Sequence, residues 1–298
     1  MTETSTASQP LARQFRPGRA LLIYAVAVIG LGTLGAPGLF WFVQWLAGAC
    51  APCAWLGKYP FRRVFDRAFL IVALAGLWPL VRNLGCRSVA EFGYPRRPAA
   101  GWQVLLGFGL GLVSLLVLDW VTRGGGWQAL PAAQWLKLLF TAVVVALIEE
   151  ALFRGGIQGA FQRSLHPLPA LLLASLIYSA LHFLKPGGVR IAAEDVHWWS
   201  GLQCLAAILT RSYSATGAAV AFVTLFLVGG VLGLAFQRTQ ALYWSMGLHA
   251  GWVLANEYVR EVARTAVVED WRAWPVVIAV GGIVWYLTRR RPETDRSP

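Results

Sequence analysis

Two adjacent carboxylates close an apolar run. In ALIEEALFRGG, residues 146–156, Glu149 and Glu150 follow LKLLFTAVVVALI, and Arg154 stands four residues after Glu150. Carboxylates are costly in hydrocarbon, so ionisable groups in such a run point to function. Glu150 and Arg154 are spaced i, i+4 and meet on one helix face. That spacing reads as a self-neutralising ion pair that positions rather than reacts. Glu149 lies about 100° round the helix and lacks such a partner, which makes it a candidate general base. Two more ionisable groups sit in apolar stretches, His182 in LIYSALHFL and His249 in SMGLHAGWVLAN. A lone His in a membrane helix can simply be interhelical glue. If the three segments converge, however, a carboxylate and one imidazole can activate water, and the second imidazole can donate to an oxyanion.

Two His and one Glu are also the donor set of a catalytic zinc site. The helical H-E-x-x-H signature is absent, and the two His fall on different segments. No metal ligand set and no cofactor is therefore assigned, and zinc stays the rival reading of the same three groups.

These residues need membrane helices to hold them. Apolar types make up 57% of the 298 residues and charged types 13%, half of the roughly 25% found in soluble domains. Mean hydropathy is +0.56. Fifteen Trp and 31 Gly fit a bilayer protein, because Trp marks the interfaces and Gly is common in spanning helices. The net charge of +12 comes from basic residues scattered between apolar runs, as membrane loops require, so no nucleic-acid partner is implied. Apolar stretches near the ~20 residues needed to span predict helices at 20–47, with a kink at Pro37, and at 66–84, 102–120, 134–158, 169–185, 216–236, 240–259 and 273–289. The stretch 198–213 is shorter, begins with paired Trp, and reads as interfacial or re-entrant.

The expected fold is therefore all-α: a polytopic bundle of about eight transmembrane helices in one domain, 20–289, between polar tails at 1–19 and 290–298. Loop charge places both termini in the cytoplasm, and the plasma membrane is the expected location. Arg82, Arg87, Arg96, Arg97, Arg154, Arg163 and Arg289 to Arg291 then lie inside, whereas Glu194, Asp195, Glu257, Glu261, Glu269 and Asp270 lie outside. Cys50 and Cys53 in CAPC lack the βαβ context of a redox motif and read as an incidental pair or a simple disulfide. No inverted repeat of the kind common in transporters is visible.

The motifs together resemble those of the CPBP intramembrane proteases, also called ABI or type II CAAX prenyl endopeptidases. EEALFR, 149–154, resembles that family's E-E-x-x-x-R motif. YSALH, 178–182, resembles its F-x-x-x-H, with Tyr178 in place of Phe. HAGWV, 249–253, resembles its H-x-x-x-N/D, with Val253 in place of the polar residue and Asn256 three residues later. The resemblance covers roughly residues 100–260. It implies an eight-helix bundle around an internal polar cavity and glutamate-dependent endopeptidase activity, in a family once regarded as zinc-dependent. By position, Glu149 would activate water, His182 would assist, His249 would stabilise the oxyanion, and Glu150, Arg154 and Asn256 would support the site. The implied partner is a membrane-associated peptide or protein, lipidated in some relatives. A catalytically silent relative serving as a membrane scaffold is the alternative.

Overall fold

The computed structural model describes residues 17–124, 128–183, 189–210, 215–263 and 267–289. The polar tails, with Arg13, Arg16, Arg290 and Arg291, lie outside these apart from residues 17–19. The described residues are helical, with no strand among them. Helix α1 (Pro17–Ala49) runs through Pro37, and α2 (Phe61–Asn83) returns beside it. A one-turn helix, α3 (Val89–Phe92), precedes α4 (Ala100–Arg123) and α5 (Ala132–Glu150). A π-helical stretch, Ala151–Gln158, carries α5 directly into α6 (Gly159–Gln162). Then come α7 (Pro167–His182), α8 (Ser200–Leu209), α9 (Ala215–Thr239), α10 (Tyr243–Ala263) and α11 (Ala273–Leu287).

Four helices are long and apolar enough to cross a bilayer: Gly18–Ala49, Phe61–Asn83, Ala100–Arg123 and Gly217–Thr239. They match four of the eight expected spans. Their surfaces suit lipid as solvent. On α1 alone Leu22, Ile23, Val26, Leu31, Leu34, Phe42 and Trp45 are all exposed, a pattern water would penalise. The chain is an integral membrane protein. The other four expected spans do not meet the same measure. Helices α7 and α11 have only 16 and 15 residues, about 22–24 Å at 1.5 Å per residue against a hydrocarbon core near 30 Å. Helices α5 and α10 are long enough but carry the charged residues of interest. Helix α8 has ten residues, too short to span, and packs on α1, where Gly201 lies directly against the Thr33 carbonyl.

Helix α10 is the hub, with twelve buried residues and neighbours α4, α5 and α9. Its contact with α4 has a stereochemical cause. Gly107 and Gly111 on α4 face Gly247 and Gly251 on α10, both pairs spaced G-x-x-x-G. A Cβ on Gly107 would stand 2.7 Å from the Trp244 carbonyl oxygen, and one on Gly251 would stand 2.7 Å from the Leu112 nitrogen. Backbone has met backbone, the close approach that small residues permit between membrane helices. His249 lies between the two α10 glycines, so this seam fixes its height and rotation.

The turns that set up the site are locally specified. Ser88 caps α3 by accepting from the Glu91 N–H at 3.2 Å, while the Glu91 carboxylate accepts from the Arg87 N–H at 2.8 Å. Gly93 ends the turn at φ 123°, where a side chain would be strained, and its carbonyl accepts from the Leu242 N–H at 2.8 Å. This ties the α3 turn to the start of α10. Gly124 closes α4 in the left-handed region, donating to the Trp120 carbonyl, as αL caps do. Cys50, Cys53, Cys86 and Cys204 are all free thiols.

Candidate active site

Glu149 and Glu150 end α5, where the helix widens into the π stretch. Such widening is frequent at functional sites. Six consecutive residues of that stretch, Phe153 to Gln158, are buried, with Gly155 under the Phe92 ring and Gly156 under Leu77. Two side chains anchor it to α9. Arg154 Nη2 donates to the Gly229 carbonyl at 3.2 Å, and Gln158 Nε2 donates to the Gly233 carbonyl at 3.0 Å. The missing side chains at Gly229 and Gly233 let α7 and the π stretch approach. A Cβ on Gly229 would stand 3.1 Å from the Tyr178 ring.

Arg154 Nη1 lies 3.0 Å from Glu150 Oε1, and both residues are buried, at 2% and 0% exposure. The same Glu150 oxygen is 2.8 Å from His249 Nδ1. The Arg154 guanidinium carbon sits 4.6 Å above the Tyr178 ring. Ser245 lies beside Glu150. Glu150 Oε1 is thus held by a cation and an imidazole, while its buried Oε2 has no hydrogen-bond partner among the described residues.

Glu149 has different surroundings. It is 27% exposed, and its Oε2 lies 3.7 Å from His182 Nε2 and also 3.7 Å from His249 Nε2. Those separations exceed a direct hydrogen bond and suit three groups that reach one intervening oxygen. The tautomers follow from the other ring nitrogens. His182 Nδ1 meets the Tyr178 carbonyl at 2.8 Å. A carbonyl only accepts, so Nδ1 carries the hydrogen and Nε2 presents a lone pair. His249 Nδ1 faces the Glu150 carboxylate, so its neutral form likewise presents a lone pair at Nε2. The structure therefore brings Glu149, His182 and His249 together, with Glu150 and Arg154 behind them.

Asn256 is not with them. Its Oδ1 accepts from the Val267 N–H at 3.1 Å, tying α10 to the following turn. Val253 packs into the apolar core. A polar cavity of about 770 Å³ opens beside Arg260, Asp119 and Arg272, eleven residues along α10 from His249 or about 16 Å, so it is not the surroundings of Glu149. There a hydrogen bond from Arg272 holds the Asp270 carboxyl below its usual range.

The sequence reading passed over several residues of this site. Tyr178 was noted only as a substitute for Phe, yet its ring packs 4.4 Å from the His182 ring and 6.3 Å from the His249 ring. Gln158, Ser245, Gly229 and Gly233 carried a weaker signal, small and polar residues at four-residue spacing along apolar helices. Tyr94, in the loop after α3, faces Glu150. Burial, with Glu150 and Tyr243 adding to it, pushes its phenol up to about 12.

Residues 131–255 match the family model described as Rce1-like, type II CAAX prenyl endopeptidase. The matched segment contains all three motifs and every sequence-predicted site residue except Asn256, one residue beyond its end. It agrees with the resemblance to the CPBP family that the motifs carry. No curated protein matches the chain. The three convergent groups of the Rce1-like segment come from α5, α7 and α10, so the site exists only when those helices are docked.

Proposed function

We propose that the protein is an intramembrane endopeptidase in which Glu149 activates the hydrolytic water. The observation that carries this is the convergence of two imidazole Nε2 atoms on one carboxylate oxygen, each at 3.7 Å. Water held there loses a proton to the Glu149 carboxylate as its oxygen bonds to the peptide carbonyl carbon. The carbonyl electron pair moves onto oxygen and gives a tetrahedral anion. When the C–N bond breaks, that pair returns, and Glu149 gives its proton to the leaving nitrogen. His182 Nε2 accepts a hydrogen bond from the water and orients it. His249, when protonated on both nitrogens, keeps Nδ1–H on Glu150 and offers Nε2–H to the anion. Glu150 and Arg154 do not react; their pairing fixes the His249 ring.

The substrate is a membrane-associated peptide or protein. The partial exposure of Glu149 and His182, at 27% and 20%, gives an extended chain access to the reactive side. The family description points to a lipidated C-terminus. The chain sits in the plasma membrane with both termini in the cytoplasm.

The test is cleavage of membrane-proximal and prenylated peptides in detergent. Glu149→Gln keeps size and polarity but cannot take the proton, so kcat falls at least ~10²-fold with the fold intact. A Glu149→Gln protein as active as wild type refutes the mechanism. Activity lost to a chelator and restored by zinc transfers the same three groups to a metalloprotease. A wild-type protein that cleaves nothing but holds a specific membrane partner is a scaffold.

A further inference from the structure

The proposed reaction needs a hydrogen-bond donor for the tetrahedral anion, and most nearby side chains have none to spare. Both histidines spend Nδ1–H on fixed acceptors, so in their neutral forms both Nε2 atoms accept. Arg154 is committed to Glu150 and to the Gly229 carbonyl. The Ser245 hydroxyl donates to the Leu242 carbonyl at 3.0 Å. Asn256 is held at Val267, and Val253 has no donor. Arg154 Nη1 makes no hydrogen bond but is buried in the ion pair with Glu150, and one neutral donor lies against both histidines. Tyr178 is 2% exposed. Its hydroxyl makes no hydrogen bond among the described residues and, unlike Glu149 Oε2 and Glu150 Oε2, is not sealed from solvent, so a ligand can reach it.

The placement of that phenol suits the task. Its ring lies against both His182 and His249, and it interacts electrostatically with Glu149 and Glu150. The Arg154 cation stands 4.6 Å from the ring centroid, a cation–π contact that holds the ring in place. Phe153 packs edge-on at 4.9 Å and Gly229 closes the remaining side, so the ring is immobile before substrate arrives. Preorganised donors of this kind account for much of the stabilisation of acyl-transfer transition states.

We propose that the Tyr178 hydroxyl is a catalytic residue of this site, donating its hydrogen bond to the anionic oxygen of the tetrahedral intermediate. The inference rests on the endopeptidase reading above. Tyr178 supplies a neutral donor where the chain has Val253, and it works whatever the charge on His249.

Tyr178→Phe removes only the oxygen and leaves the ring under Arg154. On the cleaved peptide, kcat falls ~10²–10³-fold, the range for losing one oxyanion donor, while KM and thermal stability stay at wild-type values. A peptidyl phosphonate, whose tetrahedral oxygens mimic the anion, binds the variant more weakly by a similar factor. Val253→Asn in the same background restores part of kcat, because residue 253 is one turn from His249. If Tyr178→Phe does not fold, fluorotyrosine at 178 keeps ring and shape but ionises at lower pH, and the alkaline limb of kcat moves down with it. Three results overturn the proposal: kcat in Tyr178→Phe within ~3-fold of wild type while Glu149→Gln is inert, which leaves the peptidase standing; an unmoved pH profile with fluorotyrosine; or loss on Tyr94→Phe in place of Tyr178→Phe. A wild-type protein that neither cleaves nor binds the phosphonate overturns the peptidase and the donor together.

Discussion

Arg154 offers the sharpest separation of positioning from chemistry. It is 2% exposed and Glu150 is 0% exposed, with 3.0 Å between the charges. Arg154→Met keeps the apolar stem, much of the volume and the contact with the Tyr178 ring. It removes the cation and the hydrogen bond to the Gly229 carbonyl. The buried Glu150 carboxylate then keeps His249 Nδ1 as its hydrogen-bond partner. Breaking a buried pair by deleting one partner costs ~3–5 kcal/mol. Arg154→Met should therefore lower both the unfolding midpoint and the yield in detergent. Activity should fall with stability, because Glu150, the acceptor that holds the His249 ring, is no longer fixed by Arg154. Glu150→Gln added to Arg154→Met removes both charges and should recover stability, since the two sites share one interaction and are not additive. The assay is a double-mutant cycle by thermal or denaturant unfolding, run beside peptide cleavage. An Arg154→Met protein as stable as wild type but inactive refutes the reasoning and puts Arg154 in the chemistry.

Gly251→Ala places a Cβ against backbone atoms of α4 that cannot swing aside, and overpacking of this kind costs typically 1–3 kcal/mol. The unfolding midpoint and kcat should drop together, because His249 moves with the seam; unchanged values for both would mean that the α4–α10 contact does not position the histidine. Reporter fusions at Met1 and Pro298 should report the cytoplasm and one at Gly124 the opposite face; termini on opposite sides would overturn the proposed orientation.

What could be read from the chain depended on the range of the interaction. The i, i+4 spacing of Glu150 and Arg154 is a property of one helix, and the two side chains pair at 3.0 Å. The strong apolar runs at α1, α2, α4 and α9 likewise announce themselves as spans. Spans that carry chemistry did not separate cleanly, because Glu, His and Arg dilute the apolar signal where function is concentrated. Helices α7 and α11 end a few residues before the expected 185 and 289, at His182 and Leu287. The G-x-x-x-G pairs at 107–111 and 247–251 were present in the sequence, but which glycine meets which helix is a tertiary fact. Asn256 shows the same limit. Its position two turns from His249 made it a neighbour by helical periodicity, yet the Val267 N–H lies closer and claims its oxygen. Tyr178 was visible only as an odd residue in a motif. Its use depends on an unspent donor, which no local pattern can display.

The two adjacent glutamates are costly as a pair and economical as a division of labour. One residue of offset turns them about 100° apart on the helix, enough to face different solvents. Glu150 points into the bundle and meets Arg154, His249 and the neighbourhood of Ser245. Glu149 points to the edge, keeps partial exposure and has two ring nitrogens for company. The inner carboxylate fixes which nitrogen of His249 carries hydrogen, and so decides which nitrogen faces the outer carboxylate. The glutamates are therefore coupled through the imidazole ring rather than directly. Exchanging their roles would require the helix to rotate and the ion pair to break, which the Gly229 and Gly233 anchors of the π stretch oppose. A motif of two neighbouring acids and a basic residue four positions later thus encodes a part-exposed carboxylate, a positioned imidazole and the counter-charge that keeps both in place.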